Sequence, residues 1–402
     1  MAKKKKKSGG GAFGKKRSAN KAVTPMPAYQ HNPFGAGTIL KSIRRITESS
    51  NFQSEKEIER FLYKHVIGKT EEEIARIADE ISPPTPVEQA DRLIDELPAD
   101  ITDEDAIRAA RKALAISQDC LSAWLLLGRC EHDEAKAMEY LEEGIKRGKE
   151  RFRDEIESVH EDLGLWGNVE ARDLIRLMIE KAGLLQNAKI IDQAIPVHRE
   201  ILKWNPGDNC GVRGLLLLLL IIKRELKDAR ALLDAYPNDG DTTMAWGCAF
   251  LSIVEMFERT GYELPKDETL EKFKNPQDFV KSFGPEFDQA KKDIKRATEI
   301  NPFVPILLNE AGLFALEASD VATFGGPYEA IEYLHVWAII WHAAGLPMIF
   351  MMASVPKNIK KHLKNRVIAE EFYDVAEQIQ DYEGPPWWED FDEIDPHKAK
   401  GD

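Results

Sequence analysis

Histidines beside carboxylates are the residue pairs in this sequence whose types and spacing could carry out acid–base chemistry. His132 precedes an Asp-Glu pair, and His160 precedes a Glu-Asp pair. A carboxylate that orients an imidazole is one way to build a general base. Both histidines stand in polar segments, however, where a solvated helix surface is the simpler interpretation. The sequence also lacks G-x-S-x-G, H-E-x-x-H, dinucleotide and EF-hand motifs, so we predict that the protein is not an enzyme.

Other histidines and several large aromatic residues stand among apolar residues. For His198, His335 and His342 we expect hydrogen-bonded positions in the core rather than catalytic bases. The aromatic residues predict core packing, with the lining of a groove as the alternative; they are Trp246, Trp337, Trp341 and Phe350.

The cysteines predict reduced thiols rather than disulfides or a metal site. None of them forms a C-x-x-C pair, and all stand in apolar helical segments. Cys130 and His132 are close in sequence, but no further ligand-type residues join them at metal-binding spacing. We therefore expect no metal and no other cofactor. The four cysteines are Cys120, Cys130, Cys210 and Cys248.

A basic segment near the N-terminus is the strongest charge feature. Residues 1–47 contain twelve Lys or Arg and no Asp or Glu. Its densest cations are Lys3, Lys4, Lys5, Lys6, Lys7, Lys15, Lys16 and Arg17. Such a segment can contact RNA or DNA without sequence specificity through counterion release, can contact the acidic part of the chain, or can have no specific role. The sequence leaves these alternatives open.

The rest of the chain is acidic and has enough apolar residues to form a core. Of 402 residues, 43% are hydrophobic, and the formal net charge is −14. All 69 acidic residues but only 43 of the 55 basic residues lie in 48–402, so this part carries about −26. A charge of that size keeps a protein surface solvated and repels other polyanions.

Two apolar runs, 215–222 and 336–353, are the candidates for membrane spans. The first has only eight residues, and His342, Gly345 and Pro347 interrupt the second. A spanning helix needs about 20 consecutive apolar residues. We predict no membrane span and keep peripheral attachment through 336–353 as an alternative. No apolar signal region follows the lysine run, so we expect a cytoplasmic location.

A spacing that occurs twice predicts the elements that must position any site. The two sets are Ala194, His198, Ile201 and Pro206, then Ala290, Ile294, Ala297 and Pro302. Offsets of 0, 4 and 7 lie on one face of a helix, and each Asn-Pro pair ends that helix. The two prolines are 96 residues apart. This separation equals about three units of 32 to 34 residues, which is typical of helical repeats.

Composition and breaks divide the chain into segments. We predict a basic disordered tail at 1–37, a small helical unit at 38–81, a Pro-rich linker at 82–86, a repeat domain at 87–380 with a loop insertion at about 261–285, and an acidic tail at 381–402. Within the repeat domain we expect a helix break near Gly183 and a last helix at about 357–380.

Short polar side chains predict several helix starts. Ser54 and Thr70 each precede a glutamate by three residues, which is the capping-box pattern. Thr85 is followed by proline at the first helical position and by a glutamate three residues on. Asp208 or Asn209 can cap the helix that begins near Gly211.

The segment Trp124-x-x-Leu127-Gly128, the helices with Ala-x-x-x-large-x-x-small spacing and the Asn-Pro stops together resemble tetratricopeptide repeats. His198 and Ile201 stand where that pattern has an aromatic residue and an alanine. The resemblance implies an all-α protein in which degenerate tetratricopeptide-like helix pairs stack into an α-solenoid.

A narrower resemblance covers about residues 105–355. The segments 205–213, 229–237, 245–247 and 301–308, followed by Gly325-Gly326 and the helical segment 329–333, are similar to the suppressor of tumorigenicity 7 family. That resemblance implies a helical-repeat protein with no assigned reaction. Eukaryotic members of the family are membrane-associated.

Our leading hypothesis is a non-catalytic scaffold that binds a protein or peptide along a helical-repeat groove. The candidate groove residues, all near helix starts at repeat junctions, are Asn209, Arg213 and Trp246. We also expect Arg213 to pair with a carboxylate, because a cation in the first turn of a helix opposes the helix dipole. One alternative is a nucleic-acid- or ribosome-associated adaptor that uses the Lys-rich tail, and another is an enzyme with an unrecognised site.

Overall fold

The structure, a computed structural model, describes residues 34–98, 100–158, 164–237, 239–261, 283–317, 319, 322–355 and 361–384. Within these ranges every regular element is a helix and no strand is present, which confirms the predicted all-α class. The predicted basic residues up to Arg17, most of the 261–285 insertion and the acidic tail after residue 384 lie outside the described ranges.

The first half of the chain forms a small helical unit and the start of the predicted repeat domain. Its helices are α1 Phe34–Ser49, α2 Glu55–His65, α3 Glu71–Ile81, α4 Pro86–Asp95, α5 Asp103–Ile116, α6 Leu121–Cys130, α7 Glu134–Arg151, α8 Arg153–Glu157 and α9 Arg172–Asn187. Short 3-10 turns at Gly164–Gly167 and Val169–Ala171 precede α9. Helix α1 begins four residues before the predicted boundary at residue 38.

The second half continues with α10 Ile191–Trp204, α11 Val212–Ile222, α12 Leu226–Ala235, α13 Thr242–Thr260, α14 Asp288–Ile300, α15 Val304–Leu307, α16 Pro327–Ala343, α17 Leu346–Ser354 and α18 Arg366–Gln380. Gly183 does not break α9, which corrects the prediction. The last helix also starts later than predicted, because the Asn365 side chain accepts the N–H of Val367 at 3.0 Å and caps α18 there.

Two of the three helix starts predicted at a serine or threonine have the expected hydrogen bonds. Thr70 and Thr85 each form a complete capping box with the glutamate three residues on. Ser54 makes no side-chain cap bond, and Glu57 instead accepts the N–H of Gln53 at 2.8 Å. The predicted capping box at Ser54 is therefore wrong, although the helix does start after it.

The twice-occurring spacing marks the buried faces of α10 and α14, as predicted. Ala194, His198 and Ile201 of α10 and the corresponding residues of α14 are all at most 1% exposed. Small residues on other helices allow equally close packing. A Cβ built at Gly128 would lie 2.5 Å from Cδ2 of Leu141, so α6 and α7 can pack this tightly only with glycine at that position.

Successive helices pack on one another along most of the chain, and some also pack on the helix after next. From α5 to α14 each helix packs on its predecessor, except that α9 packs on α7 rather than on the short α8. In addition, α4 packs on α6, α6 on α9, and α11 on α13. Helix α6 therefore contacts both α4 and α9.

Candidate functional site

The loop between α10 and α11, together with the first turn of α11, holds two of the three predicted groove residues. Asp208 is buried, and its carboxylate accepts the N–H groups of Val212 and Arg213, each at 2.9 Å. It caps the first turn of α11, where a negative charge is favoured. Asn209 is exposed, so Asp208 is the cap and Asn209 lies on the surface.

Arg213 forms the predicted ion pair with a carboxylate, and it forms a second one as well. Its Nε donates to Asp239 at 2.6 Å, and its Nη1 donates to Asp208 at 3.2 Å. Its guanidinium also lies 5.3 Å from the ring centroid of Tyr236. These contacts neutralise the charge of Arg213 and join the α10–α11 loop to the segment after α12. The side chain therefore stabilises a junction between helices.

Trp246 is not a surface residue, which corrects its prediction as a groove residue. Its side chain is fully buried on α13, and Nε1 donates to the backbone carbonyl of Asn301 at 3.0 Å. The ring contacts Trp341, with centroids 6.4 Å apart in an edge-to-face arrangement. An amphipathic indole that finds a buried acceptor is typical of a core position.

Asn301, at the end of α14, has partners for both ends of its buried amide. Its Nδ2 donates to Oγ1 of Thr242 at 3.1 Å and to the carbonyl of Gly326 at 2.9 Å. Its Oδ1 accepts the N–H of Phe303 at 3.0 Å. One side chain thus connects α13, α14 and the turn before α16.

Asn205, at the end of α10, is equally buried but lacks such partners. Neither Nδ2 nor Oδ1 has a hydrogen-bond partner among the residues that the structure describes. Unpaired buried amides are uncommon, because burial without a hydrogen bond costs about 1 to 3 kcal/mol.

A glycine with a left-handed backbone contacts each of these two helix ends. Gly164 has φ +50° and Gly325 has φ +73°. A Cβ built at Gly164 would overlap the carbonyl oxygen of Trp204, and one built at Gly325 would lie 2.6 Å from the carbonyl oxygen of Ile300. Each acceptor belongs to the residue just before the asparagine. Two features require glycine at each of these positions: the left-handed φ and the close approach of the neighbouring backbone carbonyl.

One face of α9 is only partly covered by the described part of the chain, with its Ile179 also packed against the core. Arg172, Arg176, Ile179 and Gly183 recur at spacings of four and three residues, so they share a face, and none of them is buried. No heavy atom from outside the local helix backbone lies within 4 Å of a Cβ built at Gly183. This face, which we call the α9 face, runs beside α6, because Arg129 of α6 pairs with Glu180 at 2.6 Å.

At the start of the α9 face, two guanidinium groups stack on one indole ring. The Cζ atoms of Arg172 and Arg176 lie 5.0 and 5.8 Å from the ring centroid of Trp166. Arg176 is paired with Asp173 at 2.7 Å. Sequence reasoning missed this cluster, although an Arg pair at i and i+4 shortly after a tryptophan was a usable signal.

The Arg pair borders the loop that carries Asn209. Burial and the Asp208 carboxylate raise the pKa of the Cys210 thiol to about 12, while the positive charges of Arg176 and Arg172 oppose this rise. Cys210 and Trp166 pack against the same core cluster, which places this loop and the start of α9 on one part of the core. The exposed Asn209 precedes Cys210 in the loop.

Two of the histidines predicted at hydrogen-bonded core positions, His198 and His335, have hydrogen-bond partners. Nε2 of His198 lies 2.5 Å from the amide nitrogen of Gln186, and burial lowers the pKa of this imidazole to about 4. Nε2 of His335 lies 3.3 Å from the carbonyl of Leu313. At neutral pH His198 is therefore an uncharged core residue.

A buried polar network at Asp91 of α4 was also missed. Its carboxylate accepts from Lys41 of α1 at 3.0 Å and, through the other oxygen, from Cys120 and Ser122 at the start of α6, each at 3.2 Å. Burial raises the pKa of Cys120, which keeps it a protonated donor. The network joins the N-terminal helical unit to α6, and an aspartate in a charged segment gave no sequence sign of burial.

The described side chains offer little for metal or redox chemistry. No group of three or more His, Cys, Asp or Glu in the part of the chain that the structure describes is arranged to hold a metal ion. Each of the four cysteines is a free thiol, with Cys120 and Cys130 buried.

No helix in the described ranges is by itself both long and apolar enough to cross a membrane. The pair Pro327–Ala343 and Pro347–Ser354 passes that test of length and composition only when taken together, and the two helices are bent by 116° relative to each other.

The fold and surface define an all-helical protein, over the described ranges, with an only partly covered helix face bordered by arginine and tryptophan. Comparison with protein-family models, with curated proteins and with solved structures found no match for this chain.

Proposed function

We propose that this protein is a non-catalytic scaffold whose helix pairs form an α-solenoid and bind a segment of another protein along the α9 face. Support for the solenoid comes from the packing order: helices contact their sequence neighbours, and α6 contacts both α4 and α9. Stacked helix pairs leave an extended surface on the inner row, which is where helical-repeat proteins bind their partners.

The observation that carries this proposal is that the α9 face is only partly covered. Helix α11, which has a more apolar sequence, is buried over most of its length, whereas α9 keeps Arg172, Arg176, Ile179 and Gly183 at least partly accessible. The α9 face combines two cations, one aliphatic residue and open space beside a glycine. Such a surface suits contact with a protein segment that brings both polar and apolar side chains.

Affinity purification of the Gly183→Arg variant tests the proposal. An arginine there would project into the open space along the α9 face, and replacing a mid-helix glycine favours the helix by about 1 kcal/mol. We expect the variant to lose proteins that co-purify with the unchanged chain. Gly240→Arg is the matched control, because Gly240 also has open space around it but lies in the loop before α13. Equal recovery of every partner with both variants would contradict the proposal.

A second candidate function uses the Lys-rich tail as a contact for nucleic acid or the ribosome. Residues 1–47 contain twelve basic residues and no acidic residue, which supports this function. Deleting residues 1–21 should then abolish a salt-sensitive RNA mobility shift. An unchanged shift would exclude this function and leave the scaffold proposal intact.

We further propose a reducing compartment, such as the cytoplasm, as the place of action. The support is that all four cysteines are free thiols, including the pair of buried residues Cys120 and Cys130.

A further inference from the structure

Arg172 is a half-buried cation without an ion pair among the residues that the structure describes. The other described arginines that are buried or half-buried all form ion pairs; they are Arg45, Arg92, Arg147, Arg151, Arg176, Arg213 and Arg230. The neighbouring carboxylate of Asp173 pairs with Arg176 at 2.7 Å and not with Arg172.

The guanidinium of Arg172 is held in one orientation by its neighbours. Its Nε donates to the carbonyl of Trp166 at 3.0 Å, and its Cζ lies over the indole ring of the same residue at 5.0 Å. These two contacts use one edge and one face of the planar group. The two terminal nitrogens are left as a fork, which is the geometry that binds a carboxylate through two parallel hydrogen bonds.

Leaving this charge unpaired has a cost. Burial lowers the pKa of Arg172 and the neighbouring charge of Arg176 lowers it further, while Cys210 and Asp173 oppose this without reversing it. Most other described arginines with a shifted pKa have it raised, with carboxylates as the cause. A bound anion would raise the pKa of Arg172 and offset the repulsion from Arg176.

We infer that Arg172, stacked on Trp166, binds an aspartate or glutamate side chain of the protein segment that occupies the α9 face. The inference rests on the proposed function and specifies its partner as an acidic segment. The negative charge of residues 48–402 repels a nucleic acid, which has a charge at every phosphate, more strongly than a segment that brings one carboxylate to Arg172.

The test measures binding of a short fluorescent peptide of alternating glutamate and glycine to the full-length chain. We expect Arg172→Gln to weaken binding by about tenfold, because a charge-assisted bidentate pair is lost. Arg172→Lys should weaken it less, since the charge remains and only the fork is lost. Arg366→Gln is the control, because Arg366 is an exposed arginine paired with Glu370 on α18. Every variant keeps the Lys-rich tail, so peptide binding by the tail is the same in all of them. Thermal melting verifies that each variant is folded.

Two comparison probes decide the outcome. A matched glutamine–glycine peptide should bind weakly and be insensitive to Arg172→Gln. Equal binding of the glutamate peptide to the unchanged chain and to Arg172→Gln would overturn the inference, as would a loss confined to a single-stranded RNA probe. If Gly183→Arg still removes co-purifying partners in that case, the scaffold function stands and only the acidic specificity is wrong.

Discussion

The helix ends at Asn205 and Asn301 share a sequence pattern but differ in how the fold satisfies them. Both asparagines are fully buried, both precede proline, and both helix ends contact a left-handed glycine through the preceding carbonyl. Asn301 makes hydrogen bonds to Thr242, Gly326 and Phe303, whereas the amide of Asn205 has no partner in the described part of the chain.

This difference shows that the repeated pattern specifies backbone geometry more strictly than it specifies polar contacts. The asparagine, the proline and the glycine reproduce the same helix stop at two places. Partners for the asparagine amide come from other elements, and at Asn301 they come from α13 and from the turn before α16. The Asn301 amide therefore connects three elements, while the Asn205 amide connects none of the described elements.

The largest expected effect is the loss of either glycine. Gly164→Ala and Gly325→Ala should each lower the free energy of unfolding by about 4 kcal/mol, because both the left-handed φ and the carbonyl contact become strained. Urea denaturation followed by circular dichroism measures this. Gly183→Ala is the control, with no close contact and no positive φ, and it should be neutral or stabilising. A mild effect at one of the two glycines would show that the two helix ends are not equivalent.

Removing the Asn301 amide should have the next largest effect. Asn301→Leu keeps the approximate side-chain size but leaves the Phe303 N–H without its acceptor and removes one of the two donors to the Gly326 carbonyl, which keeps the N–H of Ala330. We expect a loss of about 3 kcal/mol in the free energy of unfolding, since buried groups left unpaired bear the desolvation cost. Hydrogen exchange of the Phe303 amide should also become faster. Unchanged protection of that amide would mean that the bond contributes little.

His198 and Ile294 occupy the same position in the two spaced sets. Only His198 can take up a proton, so titration at this position should affect the stability of the α10 end alone. The pKa of His198 is lowered to about 4 from the 6.5 of an exposed imidazole. As pH falls below 6.5 the unfolded chain takes up a proton that the folded chain does not, so stability present above this pH is lost down to about pH 4. Between about pH 7 and about pH 5 we expect a loss of about 2 kcal/mol.

His198→Ile, which introduces the residue found at the other position, should remove this component of the pH dependence. Urea midpoints of the two proteins at several pH values make the comparison. Parallel pH profiles would show that the pKa of His198 is the same in the folded and unfolded chains.

The smallest expected effect is at Asn205 and has the opposite sign from that at Asn301. Because its amide has no described partner, Asn205→Leu removes a buried polar group without stranding another one. We expect it to raise the free energy of unfolding by about 1 kcal/mol or to leave it unchanged. A loss as large as that of Asn301→Leu would reveal a polar contact at this helix end and would make the two ends alike.

The sequence by itself determined the helical class and the local chemistry of many helix starts and stops. Spacings of four and seven residues identified the buried faces of α10 and α14, and the capping boxes at Thr70 and Thr85 were predicted correctly. These features depend on residues within one or two turns of each other, so periodicity and capping rules suffice. The same rules failed at Ser54, where the glutamate bonds one residue further back.

The tertiary structure alone decided which residues reach the surface. Trp246 and Asn209 both lie near helix starts, yet one is enclosed by α14 and α16 and the other is exposed. Whether Arg172 has a counter-ion, or Asp91 a lysine, depends on residues brought together from distant parts of the chain. Burial and charge pairing are properties of the packed helices, and a single-sequence pattern carries no record of which side chains packing will bring into contact.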